Sequence, residues 1–232
     1  MTHHHRLICA VLALLLAPIA AQAADLCTAN QPPDLRLTVR PSAMVQVSVS
    51  APCAPNTRVV LHHAGLAVTL LTSDQGTLLV WLPALSPLAL IDFNLPDGST
   101  VQGTIAVPEV QNFDRFGVQW QGQAGFRLEP APDDKFGKIS RLGDPRAGLP
   151  MLAQIYSRPH QPGVAGLSLQ LPVQPENCGS RILGETLEMR AGGPVQVVEL
   201  SQAVADCSHI GGTILLPRLF GALGGAEALS AH

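Results

Sequence analysis

Charged side chains are scarce in this chain of 232 residues, where Asp, Glu, Lys and Arg together make up 13%. An average soluble domain carries about twice that share. Lys135 and Lys138 are the only lysines, and the arginines are scattered singly. A face that binds nucleic acid needs clustered lysine and arginine side chains that release counterions from phosphates. We therefore expect no nucleic-acid partner and no attraction to an anionic membrane surface.

The motifs that most often carry catalysis or cofactor binding are also missing. The sequence has no Gly-x-Ser-x-Gly nucleophile elbow, no phosphate-binding glycine loop, no His-Glu-x-x-His helix and no calcium loop. It has no Cys-x-x-Cys pair either, so the cysteines lack the spacing of a zinc site. We expect no cofactor, no bound metal and no catalytic residue, and hence a protein that is not an enzyme.

The chain begins with an apolar run that is too short to span a membrane. Residues 7–19 are almost all apolar and follow a polar start whose fixed positive charge is Arg6, whereas a transmembrane helix needs about 20 apolar residues. Ala21-Gln22-Ala23 has the small-x-small pattern after which signal peptidase cleaves. We predict that residues 1–23 are a cleaved signal peptide, that the protein is periplasmic or secreted, and that no membrane-spanning segment remains after cleavage.

Four cysteines follow the predicted cleavage point, namely Cys27, Cys53, Cys178 and Cys207. An even number of cysteines in an oxidising compartment indicates a disulfide framework. Three pairings are possible, and the most local one joins Cys27 to Cys53 and Cys178 to Cys207. Each bond would close a loop of under about 30 residues and stabilise the fold by roughly 3 kcal/mol. We therefore predict one disulfide bond in each half of the chain.

Alternation of apolar and polar residues predicts short strands throughout the first half. Residues 35–39 and 45–49 alternate cleanly. Leu95-Pro96-Asp97-Gly98-Ser99 has the composition of a tight hairpin turn. Further strands are predicted at 58–62, 67–71, 77–82, 88–93 and 101–107. Such a density of short strands is typical of an antiparallel, immunoglobulin-like β-sandwich. We expect a mainly β protein with at most one or two short helices.

The second half repeats the order of elements of the first. An alternating strand precedes Cys53 at 45–49, and another precedes Cys178 at 167–171. This repetition indicates an internal duplication, with chance similarity between short apolar strands as the alternative. The predicted organisation is a signal peptide at 1–23, a β-sandwich domain at 24–110, a connecting region at 111–163, and a second β domain with a frayed tail at 164–232.

The connecting region contains the residues that we predict to bind a partner. Residues 118–122 and 126–128 are predicted to form a β-hairpin, and the Pro- and Gly-rich stretch 129–150 is predicted to be a loop. Aromatic and arginine side chains dominate the hot spots of protein interfaces. Residues 112–117 place two phenylalanines beside a charged pair in a predicted loop. The predicted partner-binding residues are Phe113, Arg115, Phe116 and Trp120, with packing at the domain junction as the alternative role.

Two histidines and one carboxylate interrupt predicted strands. His62 and His63 are adjacent, and neighbours in a strand point to opposite faces. One of them should therefore face the core or a neighbouring strand and the other water, which does not make a metal site. Asp92 lies in a strongly apolar strand. A buried carboxylate would need donors, so we expect Asp92 on the outer face.

The stretch from Val80-Trp81-Leu82-Pro83 to Ile91-Asp92-Phe93, together with residues 113–121, resembles a group of uncharacterised envelope proteins of alphaproteobacteria that carry the loose label "translocase". The resemblance covers the N-terminal half. It brings no catalytic motif, and a chain without a nucleotide-binding loop or a spanning helix cannot itself be a motor. The resemblance implies an accessory role at the cell envelope.

These observations favour an exported, non-catalytic binding or accessory protein of the bacterial cell envelope. It would contact another envelope protein through its sheet edges or through the aromatic stretch. The alternative is a periplasmic hydrolase whose site is assembled from dispersed residues, with His160 or His209 near Asp144 or Asp206. That alternative requires these side chains to converge, because proton transfer needs hydrogen-bond reach.

Overall fold

The computed structural model of the chain describes residues 32–132, 134–161 and 166–216. These residues form fifteen strands, all paired antiparallel in four sheets, and two short 3₁₀ helices at Pro108–Asn112 and Cys207–His209. The strands of the first half are β1 Asp34–Arg40, β2 Met44–Ser50, β3 Arg58–His63, β4 Leu66–Leu71, β5 Thr77–Pro83, β6 Leu88–Asn94 and β7 Thr100–Ala106. Those of the second half are β8 Phe113–Gln121, β9 Arg127–Pro130, β10 Lys138–Leu142, β11 Met151–Pro159, β12 Leu167–Pro172, β13 Arg181–Arg190, β14 Gln196–Ala203 and β15 Thr213–Leu216. The prediction of a mainly β protein is confirmed.

The first half is a sandwich of two sheets, with strand orders β1-β2-β5 and β4-β3-β6-β7. Alternation decides which side chains fill it: Val45 and Val47 of β2 are fully buried, while the intervening Gln46 is partly exposed. Ile91 and Phe93 of β6 meet them from the opposite sheet. The predicted turn between β6 and β7 is present, and its Gly98 takes a φ of 83° that side chains disfavour.

The second half packs a five-stranded sheet, β10-β11-β8-β13-β14, on a three-stranded sheet, β15-β12-β9. Their shared core contains more aromatic residues than the first, with Phe116, Trp120, Phe126 and Tyr156 all buried. The rings of Trp120 and Phe126 meet edge to face, with centroids 6.4 Å apart, an arrangement that the ring quadrupoles favour. Both halves therefore have a hydrophobic core of their own.

The five-stranded sheet is buried on both faces near its centre. Even-numbered residues of β8, such as Phe116, belong to the core of the second sandwich. On the other face, Ile155, Leu187 and Met189 join the core of the first sandwich. Seven successive residues of β8 are buried, including the polar side chains of Asp114, Arg115 and Gln119. β8 is thus the strand that joins the two sandwiches.

The structure corrects the predicted connecting region. Residues 118–122 and 126–128 do not form a hairpin, because β8 pairs with β11 and β13, whereas β9 pairs with β12 in the other sheet. The predicted loop 129–150 contains β10, which pairs with β11. These segments build the second sandwich because its central strand, β8, comes from the region that the sequence pattern indicated as a connection.

A disulfide bond joins Cys178 to Cys207 across 29 residues, as predicted. Cys53 is also disulfide-bonded, whereas Cys27 and the predicted signal peptide lie outside the described residues. Disulfide bonds persist in oxidising compartments and are rare in the cytosol, so the protein belongs outside the cytoplasm. Within the described ranges, no helix has the length and apolar character needed to span a membrane.

Corresponding strands of the two halves pair in the same way. β2 lies between β1 and β5, and β12 lies between β9 and β15; β3 pairs with β4, and β13 pairs with β14. β2 and β12 contain the two stretches, 45–49 and 167–171, on which the internal duplication was predicted. The other neighbour of β3 is β6, and the other neighbour of β13 is β8. These two strands differ in chain order, since β8 precedes the repeated strands of its half and β6 follows those of its own. The duplication itself stays a prediction.

Candidate functional site

The predicted partner-binding residues lie in strand β8 and not in a loop. Arg115 and Phe116 are fully buried, Trp120 is 8% exposed, and Phe113 is partly buried. The loop prediction was wrong because the charged pair Asp114-Arg115 is buried within the strand, and the alternation typical of a strand begins only at Phe116. Arg115 and Phe116 are not on a surface that a partner protein could reach, whereas Trp120 lines the junction cleft between the two sandwiches.

Arg115 instead holds the junction of the two sandwiches together. Its guanidinium donates to the carbonyl oxygens of Ser42 and Ala43, both at 2.9 Å, and to that of Ala84. It also lies 5.6 Å from the centre of the Phe113 ring. Desolvation by burial lowers the pKa of Arg115 to about 10, which still leaves it charged at neutral pH. These contacts match the alternative role, packing at the domain junction.

Gln119 makes a second polar connection on the same face of β8. Its carboxamide accepts a hydrogen bond from the Ala67 N–H at 2.8 Å and donates to the Gly65 carbonyl at 2.9 Å. Its amide nitrogen also donates to the Glu185 carboxylate on β13. Buried polar groups that are fully paired fix one arrangement of their neighbours. Gln119 therefore fixes the position of the β3–β4 turn against the five-stranded sheet.

A cleft of about 690 Å³ opens beside Gln119, between the first sandwich and the five-stranded sheet. Its floor is formed by the ends of β8 and by β13 and β14, and its wall by β3, β4 and the segment before β11. Two leucines in it are well exposed, Leu149 at 72% and Leu183 at 58%. Other side chains that line it include Arg58, Met151, Glu185 and Glu199. Binding sites occur preferentially at such domain junctions.

The cleft carries two carboxylates on adjacent strands. Glu185 of β13 and Glu199 of β14 are directly opposite each other in the antiparallel register, an arrangement that is destabilising for like charges. Glu185 is held by Gln119, and Glu199 is exposed. Arg58 does not neutralise them, since its guanidinium donates to the Gly148 carbonyl at 2.7 Å. The cleft thus combines negative charge with exposed apolar surface.

A larger concave surface, of about 1020 Å³, lies along the first sandwich, but its charges are already paired. Arg36 lies 2.8 Å from Asp34, and Arg146 lies 2.8 Å from Asp144. Near it on β5, Trp81 is 49% exposed, with the Arg40 guanidinium 5.8 Å from its ring centre. The junction cleft is therefore the stronger candidate, because its carboxylates lack a basic partner among the contacts that the structure records.

The adjacent histidines point to opposite faces, as predicted. His62 is partly exposed on the outer face opposite Asp92, while His63 is 2% exposed. The Leu85 N–H donates to Nε2 of His63 at 2.8 Å, which leaves Nδ1 to donate to the Leu90 carbonyl at 2.9 Å. Burial and the nearby charge of Arg115 lower the pKa of His63. The neutral ring thus links β3 to the start of β6.

Acidification is expected to destabilise the fold through His63. Its pKa is lowered in the folded state, so its contribution to stability is complete above the unfolded pKa of about 6.5 and is lost as the pH falls through the folded pKa. We expect the free energy of unfolding, measured by urea titration, to depend less on pH between 7 and 5 in His63→Gln than in the parent. His62→Gln, on the outer face of the same strand, is the matched control. An unchanged pH dependence in His63→Gln would contradict this role.

The structure pairs one of the histidines of the hydrolase alternative with one of its aspartates, His209 with Asp206, and gives His160 a different partner. Nδ1 of His160 lies 2.7 Å from Asp114, whereas Nδ1 of His209 lies 3.1 Å from Asp206. Asp144 is paired with Arg146. Asp114 is fully buried and also accepts from the Ala191 N–H, so it ties together the ends of three strands. In the part of the chain that the structure describes, no three His, Cys, Asp or Glu side chains are grouped as metal ligands.

No protein-family model, no curated protein and no solved structure matches this chain. The geometry of the junction cleft is therefore the basis for the function proposed below.

Proposed function

We propose that this chain is an exported, non-catalytic binding protein that engages another protein of the cell envelope at the junction cleft. The observation that carries the proposal is the combination, in one concave surface of about 690 Å³, of two exposed leucines with two facing carboxylates. Interface centres are apolar and their rims polar. The accessory role at the envelope that the sequence resemblance implies agrees with this proposal.

The rigidity of the junction supports binding without a large rearrangement. Arg115 and Gln119 fix the first sandwich against the five-stranded sheet at two points on the same face of β8. Thr69 adds a third connection, because its hydroxyl accepts from the Met151 N–H at 2.7 Å. A cleft whose walls are fixed in this way loses little conformational entropy when a partner binds. The proposed site is thus preorganised.

Site-specific photo-crosslinking tests the proposal. We expect Leu183→p-benzoylphenylalanine, expressed and irradiated in the source organism, to give one discrete adduct with an envelope protein. Leu215→p-benzoylphenylalanine is the matched control, because Leu215 is 65% exposed on the three-stranded sheet, which packs on the other face of the five-stranded sheet. Mass spectrometry identifies the partner.

The outcome depends on the contrast between the two positions. An adduct at position 183 that is absent at position 215 supports binding in the cleft. No adduct at position 183, or the same set of adducts at both positions, would show that the cleft is not a specific binding surface.

A further inference from the structure

Strand β14 forms an open edge of the five-stranded sheet beside the junction cleft. It pairs with β13 over all eight of its residues, and among residues 32–132, 134–161 and 166–216 no strand pairs with its other side. Val197 and Val198 are 43% and 58% exposed. An open edge presents a row of unpaired backbone N–H and C=O groups that can template a further strand.

β14 lacks the features that usually protect such an edge. Edge strands are commonly blunted by several charges, by proline, by bulges or by shortness. β1, β9 and β10 each carry at least two charged residues, and β15 has only four residues. β5 ends at Pro83 and has β10 beside it. β4 and β7, the edges of the four-stranded sheet, carry no charge, but β11 lies beside β4 and β1 lies beside β7. β14 has eight residues in continuous register, no proline, and Glu199 as its one charged residue. It is therefore the edge best suited to pair with another chain.

The cleft and the open edge share side chains. Ser201 and Glu199 of β14 line the cleft, directly opposite Leu183 and Glu185 of β13. A strand added to β14 would place alternate side chains on this face, next to Glu199 and in line with Glu185. A lysine or arginine at that point would be the cation that the two facing carboxylates lack. The edge supplies the backbone contacts, and the cleft supplies the charge preference.

We infer that β14 accepts an extended segment of the partner protein as a sixth strand, with a basic side chain facing Glu199 and apolar side chains against Val197 and Val198. This inference rests on the proposed function and names the chemistry of the segment that the site would recognise. Strand addition of this kind draws affinity from main-chain hydrogen bonds and specificity from alternate side chains. A second copy of this chain is a poorer occupant, because it would bring its own Glu199 to the same edge.

Synthetic peptides test the inference directly. The probe is a fluorescent nine-residue peptide with lysine at its centre, flanked on each side by two valines and then two threonines, so that valine side chains lie on both faces of the added strand. One comparison peptide has glutamate at the centre, and another is the lysine peptide with alternate backbone amides N-methylated. We expect the lysine peptide to bind at least tenfold more tightly than either, measured by fluorescence anisotropy. In Glu199→Lys the preference for lysine over glutamate should reverse.

Variants of the edge locate the binding. Val198→Lys should weaken binding of the lysine peptide at least tenfold. Leu215→Lys, which also places a lysine on an exposed edge strand, β15, should leave the binding unchanged. Both positions are more than half exposed, so neither change should affect folding. Three results would overturn the inference. They are equal affinity for all three peptides, no peptide binding at millimolar concentration, and dimerisation of the protein that Val198→Lys abolishes. If the crosslink at position 183 is then still found, the proposed function stands and strand addition at β14 is wrong.

Discussion

Replacing Arg115 with methionine is expected to lower the free energy of unfolding by about 3 to 5 kcal/mol. Methionine fills a similar volume but removes the guanidinium that donates to the carbonyl oxygens of Ser42, Ala43 and Ala84, of which only Ala43 keeps a recorded donor, the Ala84 N–H at 3.0 Å. Ser42 and Ala43 also have positive φ angles, 65° and 52°, which cost energy and persist only where the surroundings hold them. The change should be visible as a lower midpoint in urea titration followed by tryptophan fluorescence.

Arg36→Met is the matched control for this prediction. The Arg36 side chain is 81% exposed and is paired with Asp34 two residues away, and exposed ion pairs contribute about 0 to 1 kcal/mol. Arg115→Lys should restore little of the lost stability, because an ammonium group cannot reproduce the planar fork that reaches three carbonyls. A loss below about 1 kcal/mol in Arg115→Met would mean that the junction does not depend on this side chain.

Removing the disulfide between Cys178 and Cys207 is expected to cost about 3.5 kcal/mol. The bond closes a loop of 29 residues that contains β13 and β14, so the unfolded chain gains entropy when it is absent. The double variant Cys178→Ser/Cys207→Ser avoids a free thiol, and urea titration against the parent protein measures the difference. The same urea midpoint in both proteins would show that covalent closure of this loop does not stabilise the folded state.

The first sandwich could be predicted from the sequence because each of its strands has one buried and one exposed face. Val45 and Val47 alternate with polar residues, and the turn that contains Gly98 has the composition its backbone requires. The opposite orientation of His62 and His63 follows from the same alternation. The alternation in the sequence agrees with the observed burial wherever a strand is packed against other elements on one face only.

The sequence predicted the strand at 167–171 of the second sandwich, but the full extent of β8, strand β10 and the cleft could not be predicted in this way, because long-range contacts decide them. β8 is buried on both faces, so Asp114 and Arg115 looked like a polar loop. β10 lies in a stretch rich in proline and glycine, where turn composition hid a five-residue strand. The cleft depends on the register that puts Glu185 opposite Glu199, and no local signal gives that register.

The most direct measurement of the central claim is the photo-crosslink at position 183 compared with that at position 215. If the protein binds an envelope partner in the junction cleft, irradiation gives one discrete adduct at position 183 and none at position 215. Loss of that adduct in Glu199→Lys would place the contact beside the facing carboxylates. A chain that gives no adduct at position 183, or the same adducts at both positions, does not bind its partner at this cleft.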